Sequence, residues 1–518
     1  MTEPARRDLE ALQALQIAPA DEHNLKLVAN VHPTDWKNPE PAGRYHLVAI
    51  GGGTAGLVSA AGAAGLGAKA ALIERHLLGG DCLNVGCVPS KAVIRAARAC
   101  AEIRRAPELF GAPRAPGSGA PFDFGLAMKR MRRLRAGISR HDSASRFQGL
   151  GVDVFLGDGR FVSPEEIEVV GKRLRFRRAV IATGARAAVP PIPGLKEAGY
   201  LTNETFFNLT ELPGRLAVLG AGPIGCEMAQ AFARFGSRVT LLDMADHVLP
   251  REDSDAAEIV QKALAADGVQ LELGVKVTGV EQRGGARVLK FERNGTPGEV
   301  PVDEILVAVG RAPNVENLGL EAAGVRFTKK GVEVDDHLRT SNPRIYAAGD
   351  IASPYQFTHT ADANARIVIQ NALFFGRAKA SDLVIPWCTY TSPEVAHVGL
   401  YEKEARDKGL EVDTLTVPLD TVDRAILDGA DEGFLRLHLL KGKDRILGAT
   451  LVADHAGDML GELCLAITKK IGLGQIASVI HPYPTQGEVL KKAADTWRRG
   501  KLTPTVQKTF RTFFKVFK

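Results

Sequence analysis

Two cysteines with four residues between them lie in the stretch Gly79-Gly80-Asp81-Cys82-Leu83-Asn84-Val85-Gly86-Cys87-Val88-Pro89-Ser90-Lys91. Pro89 suits the first turn of a helix, where a missing N–H costs nothing, so Cys87 is expected against that helix's positive end. A thiol in that position loses its proton readily, and Lys91 adds a second positive charge nearby. The expected chemistry is redox. A structural disulfide or a metal pair is the competing account, but zinc would need a second cysteine pair. Cys100, Cys226, Cys388 and Cys464 do not form one.

Glycine-rich turns flank this centre. In the first, the apolar run His46-Leu47-Val48-Ala49-Ile50 opens onto Gly51, Gly53 and Gly56. A strand followed by such a turn and a helix presents free N–H groups to a pyrophosphate. Glu74 ends the next apolar run, about 20 residues on, where an acid would hold a ribose hydroxyl. The second turn repeats the pattern with Leu216-Ala217-Val218-Leu219, then Gly220, Gly222 and Gly225, then Asp243 after Val239-Thr240-Leu241-Leu242. One such motif is a weak signal. Two, each in strand–turn–helix context and each closed by an acid, imply two bound nucleotides.

With these motifs the chain also carries Ala182-Thr183-Gly184, Val309-Gly310-Arg311-Ala312-Pro313-Asn314 and Ala347-Ala348-Gly349-Asp350. Across about residues 45 to 498 it resembles the FAD-dependent pyridine nucleotide–disulfide oxidoreductases. The resemblance implies an α/β fold with two Rossmann-like dinucleotide-binding domains and a C-terminal α+β dimerisation domain. Its implied limits are an N-terminal extension (1–44), FAD-binding segments (45–195 and 315–385), an NAD(P)-binding domain (196–314), an interface domain (386–500) and a tail (501–518). It implies FAD at the first turn, with Thr183, Gly184 and Asp350 among its contacts and Asp350 on the ribityl chain. It implies NADH or NADPH at the second turn, with Gly310 nearby, and Lys91 near the flavin, paired with Glu227. Cys87 would be the flavin-facing thiol and Cys82 the outer thiol that exchanges with substrate. Electrons would pass from nicotinamide through flavin to the Cys82–Cys87 disulfide.

The segment His481-Pro482-Tyr483-Pro484-Thr485-Gln486-Gly487-Glu488 bears on the acceptor. Disulfide-reducing members of the family carry a histidine immediately before the Pro-Thr, backed by the glutamate, to protonate a leaving thiolate. Here that place is Tyr483. A phenol of ordinary pKa about 10 shuttles protons poorly at neutral pH, although its oxygen can approach a metal ion. Mercuric reductases share this tyrosine and a second one, which Tyr200 in Gly199-Tyr200-Leu201-Thr202-Asn203-Glu204 resembles. The run Met228 to Ser237 also looks like that branch. A soft divalent ion suits a thiol pair, so Cys82 and Cys87 are expected to bind such a metal transiently, as substrate. The chain departs from mercuric reductases in lacking a vicinal cysteine pair after Cys464 and a CxxC in residues 1 to 44. His481 is a minor candidate for a displaced base. On an extended segment it would point the same way as Tyr483.

Length and composition set the frame. A chain of 518 residues with 45% apolar and 24% charged residues has ample material for several buried cores. The first 44 residues hold Leu9, Leu12 and Leu15 at helical spacing but no apolar leader, and no run of about 18 apolar residues occurs. Six cysteines do not make a secreted disulfide framework. A cytoplasmic enzyme is the expectation. The net charge of +6 is partly local, since Lys129, Arg130, Arg132, Arg133 and Arg135 share one helix, expected to be a solvated face. No aromatic interleaving supports nucleic-acid binding. Residues 106–121, rich in Pro, Gly and Ala, read as a loop. In the tail, Val506, Phe510, Phe513, Phe514 and Phe517 fall on one helical face among Lys508, Arg511, Lys515 and Lys518. That face either packs on the dimer or makes peripheral contact with an anionic membrane.

Three functional readings stay open: a flavoenzyme reducing a soft metal ion, Hg(II) first; a reductase of a small-molecule or protein disulfide, like dihydrolipoamide dehydrogenase or glutathione reductase; and a non-catalytic flavin redox sensor. A homodimer with shared active sites is implied throughout. Asp243 favours NADH, because an acid there accepts from a ribose 2′-OH and repels a 2′-phosphate.

Overall fold

The apolar run before the first glycine turn forms strand Arg44–Ile50, in which Tyr45, Leu47, Val48, Ala49 and Ile50 are all buried. A run apolar on both faces is what a strand covered on both sides requires. The computed structural model describes residues 3–109 and 122–517. They divide into two compact units, Met1–Asp246 with Asp267–Leu383, and His247–Ala266 with Val384–Lys518.

In the first unit, Arg44–Ile50 lies between parallel strands Ala70–Glu74 and Lys172–Ile181. Val152–Leu156 and Ile345–Ala347 extend the parallel sheet, and Glu166–Val169 and Gly159–Ser163 continue it antiparallel. A second parallel sheet runs Gln270–Glu272, Arg238–Leu242, Arg215–Leu219, Glu304–Val307. In both, strand order reverses beside the strand that feeds a glycine turn, which opens a crevice at the strands' carboxyl ends. The second unit is built on a five-stranded antiparallel sheet from Pro386–Thr389 to Val412–Pro418 with Ala456–Lys469 packed on it.

Several expectations change. Residues 106–109 are helical, the end of Cys87–Leu109, and the rest of the expected loop lies outside the described residues. The basic helix Phe124–Ile138 is not a simple solvated face. Arg132 and Arg135 are buried, and only Lys129, Arg130 and Arg133 reach water. They are buried because helix Glu22–Val31 covers them. Leu12, Leu15, Leu27, Val28 and Val31 belong to the same apolar core as Leu72, Val152 and Val180 of the first sheet. The tail is a helix, Pro504–Val516, with Phe510, Phe513, Phe514 and Phe517 exposed. Among the described residues no helix is long and apolar enough to cross a membrane.

Candidate active site

Cys82 sits on its own short helix, Gly80–Asn84, and Cys87 opens the long helix Cys87–Leu109. The turn between them is tight. A Cβ on Gly86 would lie 2.8 Å from the Asp81 carbonyl oxygen, so the backbones touch there. Neither cysteine is in a disulfide in this structure. The hydrogen bond between the two sulfurs divides their roles, drawing the Cys87 thiol well below its usual range and pushing Cys82 up. Thr358 assists from 3.6 Å and Lys91 by its charge, against burial and the Glu227 carboxylate. Cys87 is therefore the thiolate and Cys82 keeps the proton. Thr358, the first residue of helix Thr358–Leu373, was not anticipated; it follows Asp350 by eight residues and bears no motif of its own.

Lys91 Nζ lies 2.9 Å from Glu227 Oε2, and Glu227 is only 5% exposed. Glu227 is buried because helix Pro223–Phe235, which carries it, is covered along almost its whole length. Arg311 lies within the Val309–Asn314 motif, whose sequence alone gives it no partner. It pairs with Asp81 of the redox turn and lies 3.4 Å from Asp350. One guanidinium thus spans the redox turn and the carboxylate expected on the ribityl chain. Burial raises the Asp350 pKa, and Arg311 opposes that rise.

The two glycine turns match contact for contact. Gly51 N–H donates to Ile73 O and Gly220 N–H to Leu242 O, both at 2.8 Å. Gly52 N–H donates to Glu74 and Ala221 N–H to Asp243, both at 2.5 Å. Gly51 and Gly220 both take φ +106, which L side chains rarely adopt. A Cβ on Gly56 or on Gly225 would stand 1.8 Å from the carbonyl oxygen of Gly51 or Gly220. Gly56 and Gly225 thus let each helix lie against its own turn, whereas a Cβ on Gly222 would meet nothing within 4 Å, which leaves open space at the second turn. Gly53 faces Gly80 at the start of the redox turn, and Gly349 faces Ala55 of the helix after the first turn, so the first turn, the redox turn and Asp350 converge. Thr183 and Asn314 exchange side chain-to-carbonyl hydrogen bonds at 2.9 Å, and Asn314 N–H donates to Gly184 O. Gly310 accepts from Ala188 N–H where the same segments cross. The donor set fits a dinucleotide at each turn.

Tyr200 lies half-buried against the core around Leu195, Leu219 and Ile305. In the second unit Tyr483 is exposed and its hydroxyl donates to Asp423 Oδ2 at 2.9 Å. Asp423 is 60 residues distant and gave no sequence signal. Glu488 opens helix Glu488–Gly500, with Oε2 buried and lacking a hydrogen-bond partner among the described residues. His481 does not pair with Tyr483 in direction. Residues 481–484 bend instead of running as a strand, and His481 Nε2 lies 3.2 Å from Glu462 while Tyr483 turns to Asp423.

Comparison with known proteins agrees with this arrangement. Residues 45–365 match the pyridine nucleotide-disulphide oxidoreductase family, and residues 385–494 match its dimerisation domain. A mercuric reductase of Staphylococcus aureus is 36% identical over 88% of this chain and 83% of its own length. A dihydrolipoyl dehydrogenase of Geobacillus stearothermophilus is 34% identical over 86% of this chain and 94% of its own. The structure of the HOCl-induced flavoprotein disulfide reductase RclA from Escherichia coli, as its Cu(II) complex, superposes with a TM-score of 0.76 at 28% identity, covering 88% of this chain and all of that one. The chain belongs to the pyridine nucleotide-disulphide oxidoreductases, FAD-dependent enzymes that use NAD(P)H. It is an oxidoreductase of that family, and its dimerisation domain supports a homodimer.

Proposed function

We propose that this flavoprotein uses NAD(P)H to reduce a soft metal ion, Hg(II) first, at Cys82 and Cys87. The observation that carries the reading is a hydrogen-bonded pair of cysteines whose arrangement favours the Cys87 thiolate, in a chain whose proton-shuttle position holds the phenol of Tyr483. The mercuric reductase relatives support it. Overall, NAD(P)H gives up two electrons and a proton, and the metal ion takes both electrons. A bound flavin supplies the two-electron link between nicotinamide and sulfur. The residues do the rest. Gly51, Gly53, Gly56, Glu74, Thr183, Gly184 and Asp350 hold the flavin nucleotide, and Gly220, Gly222, Gly225, Asp243 and Gly310 hold the nicotinamide nucleotide. Lys91, fixed by Glu227, offers positive charge beside the thiolate. Cys82 and Cys87 grip the metal, which thiolates favour over oxygen ligands. Tyr483, Glu488 and Tyr200 assist, the first two reaching the partner protomer's site across the dimer.

A second reading is reduction of a small disulfide. The His481–Glu462 pair favours it, since a histidine beside a carboxylate can hold and return a proton, and dihydrolipoyl dehydrogenases match this chain nearly as well as mercuric reductases do. The test is anaerobic reduction by NADH followed by Hg(II), glutathione disulfide or lipoamide. Multiple turnovers with Hg(II), slowed several-fold in Tyr483→Phe while reduction by NADH is unchanged, are expected. Turnover with a disulfide alone, abolished in His481→Gln, would instead establish the second reading.

We also propose that the tail helix rests on an anionic membrane surface. From Thr496 to Lys518 there are seven basic residues and no acid. Some exposed helices elsewhere pair a base with an acid one turn away, as in Lys491–Asp495, Arg366–Asp362 and Lys262–Glu258. A phenylalanine face opposite an unneutralised basic face complements lipid headgroups.

A further inference from the structure

The turn that carries Cys82 is held from a direction that the dinucleotide and redox motifs do not foreshadow. Arg135, on helix Phe124–Ile138, donates from Nη1 to Asn84 O at 2.7 Å, the carbonyl that ends the Cys82 helix. Its Nη2 donates to Asn24 Oδ1, also at 2.7 Å. Asn24 is fully buried, Arg135 is 3% exposed and Asn84 is 3% exposed. Asn24 belongs to helix Glu22–Val31 of the N-terminal segment, and its own amide donates to Pro19 O at 2.8 Å. Asp21, which caps that helix, takes the neighbouring guanidinium of Arg132 at 2.6 Å. Val31 O accepts from Leu78 N–H, one residue before the redox turn begins.

A buried guanidinium must be bonded through its fork, or it costs more than the fold gains from burying it. Asn24 supplies the acceptor on one side, and the Asn84 carbonyl is the acceptor on the other. A cation at the carbonyl end of a helical turn also complements the partial negative charge there. Within the same turn, Arg311 holds Asp81. The five residues around Cys82 are thus held by two arginines, the partly buried Arg311, which also lies near Asp350, and the buried Arg135, which is bonded to the N-terminal segment.

We propose that the N-terminal segment is part of the redox centre, with Asn24 and Arg135 as positioning residues that set the reactivity of Cys82. The proposal rests on Cys82 being the outer thiol. Loosening the Asn84 carbonyl lets the Cys82 turn move against Cys87, which weakens the sulfur–sulfur hydrogen bond that divides their proton affinities. Both the thiol–disulfide equilibrium and the relative alkylation rates of the two thiols should respond.

The experiment uses full-length holoenzyme carrying Asn24→Leu, Asn24→Ser or Asn24→Asp. The Cys82–Cys87 equilibrium is measured in dithiothreitol redox buffers, and the alkylation rate of each thiol by peptide mapping with iodoacetamide. Asn24→Leu removes the acceptor and should shift the equilibrium by about tenfold, or about 30 mV, and change the Cys82 rate by a similar factor. Asn24→Ser, which leaves a shorter acceptor and a gentler packing change, should shift both in the same direction by less. Asn24→Asp keeps the acceptor for Arg135 while losing the donor to Pro19 O, and should lie closer to wild type than Asn24→Leu does. A lowered melting temperature with unchanged equilibrium and rates would reduce the segment to ordinary packing and overturn the proposal, as would Asn24→Asp behaving like Asn24→Leu. If the thiolate–flavin absorption is lost in Cys82→Ser and kept in Cys87→Ser, the failure lies with the assignment of the outer thiol instead.

Discussion

At the scale of single residues, the redox centre works by unequal sharing of one proton. The hydrogen bond from Cys82 is the largest influence lowering Cys87, ahead of Thr358 and Lys91. Thiolate rises with pH, so the long-wavelength thiolate–flavin absorption should persist as pH falls from neutrality and fade below about 6, where Cys87 takes up a proton. Cys82→Ser keeps a donor and should retain that absorption near neutral pH; Cys82→Ala lacks one and should lose it at a higher pH. Cys87→Ser should abolish it outright. All three should lose turnover, and a spectrophotometric pH titration of each variant checks the order. At the second turn, both carboxylate oxygens of Asp243 accept backbone N–H groups, from Ala221 and Ala245, so the acid is held rigidly where a 2′-phosphate would have to fit. Steady-state kinetics should show kcat/KM for NADH exceeding that for NADPH by at least about tenfold, with Asp243→Asn narrowing the gap. A preference for NADPH would overturn the reading of Asp243.

At the scale of elements, glycines of one motif do different work. Gly56 and Gly225 let a helix lie against the turn that precedes it, and a methyl group at either would meet a carbonyl oxygen at 1.8 Å. Gly56→Ala and Gly225→Ala should therefore destabilise the fold by at least about 1–3 kcal/mol, the usual range for overpacking, visible in denaturant melts without nucleotide. Gly222→Ala meets nothing within 4 Å and should leave the melt unchanged while raising the KM for the nicotinamide nucleotide. Elements that sequence exposes most clearly are of this kind, because a strand, a glycine turn and an acid lie within one short stretch of chain. Contacts made between distant stretches left no such trace. Nothing around Thr358, Asp423 or Asn24 announces a partner, since each acquires its role only when remote segments meet. The helix bearing Arg132 and Arg135 read as solvated for the same reason: its cover comes from a helix about 100 residues earlier. The bend at residues 481–484 defeated the alternation rule, which holds only for extended chain.

At the scale of the whole molecule, two Rossmann-like dinucleotide-binding domains and a C-terminal α+β domain were foreseeable from the motifs and the resemblance they carry, and the family's domain models cover the same ground. Less visible was the integration of residues 1–44, whose leucines enter the core of the first sheet rather than forming an appendage. The tail makes a prediction of its own. Full-length protein should sediment with phosphatidylglycerol vesicles and not with phosphatidylcholine vesicles, high salt should weaken the association, and a version ending at Gly500 should lose it. Absence of vesicle binding, with dimer dissociation on removing the tail, would place the phenylalanine face on the partner protomer instead.

The matched glycine turns give this molecule an internal control. Because the two backbones agree hydrogen bond for hydrogen bond, a change of temperature, solvent or pressure that acts on the turn itself must act on both alike. Any divergence between them, followed for instance by amide exchange at Gly51 and Gly220, reports what each nucleotide contributes, with one half of the chain serving as reference for the other.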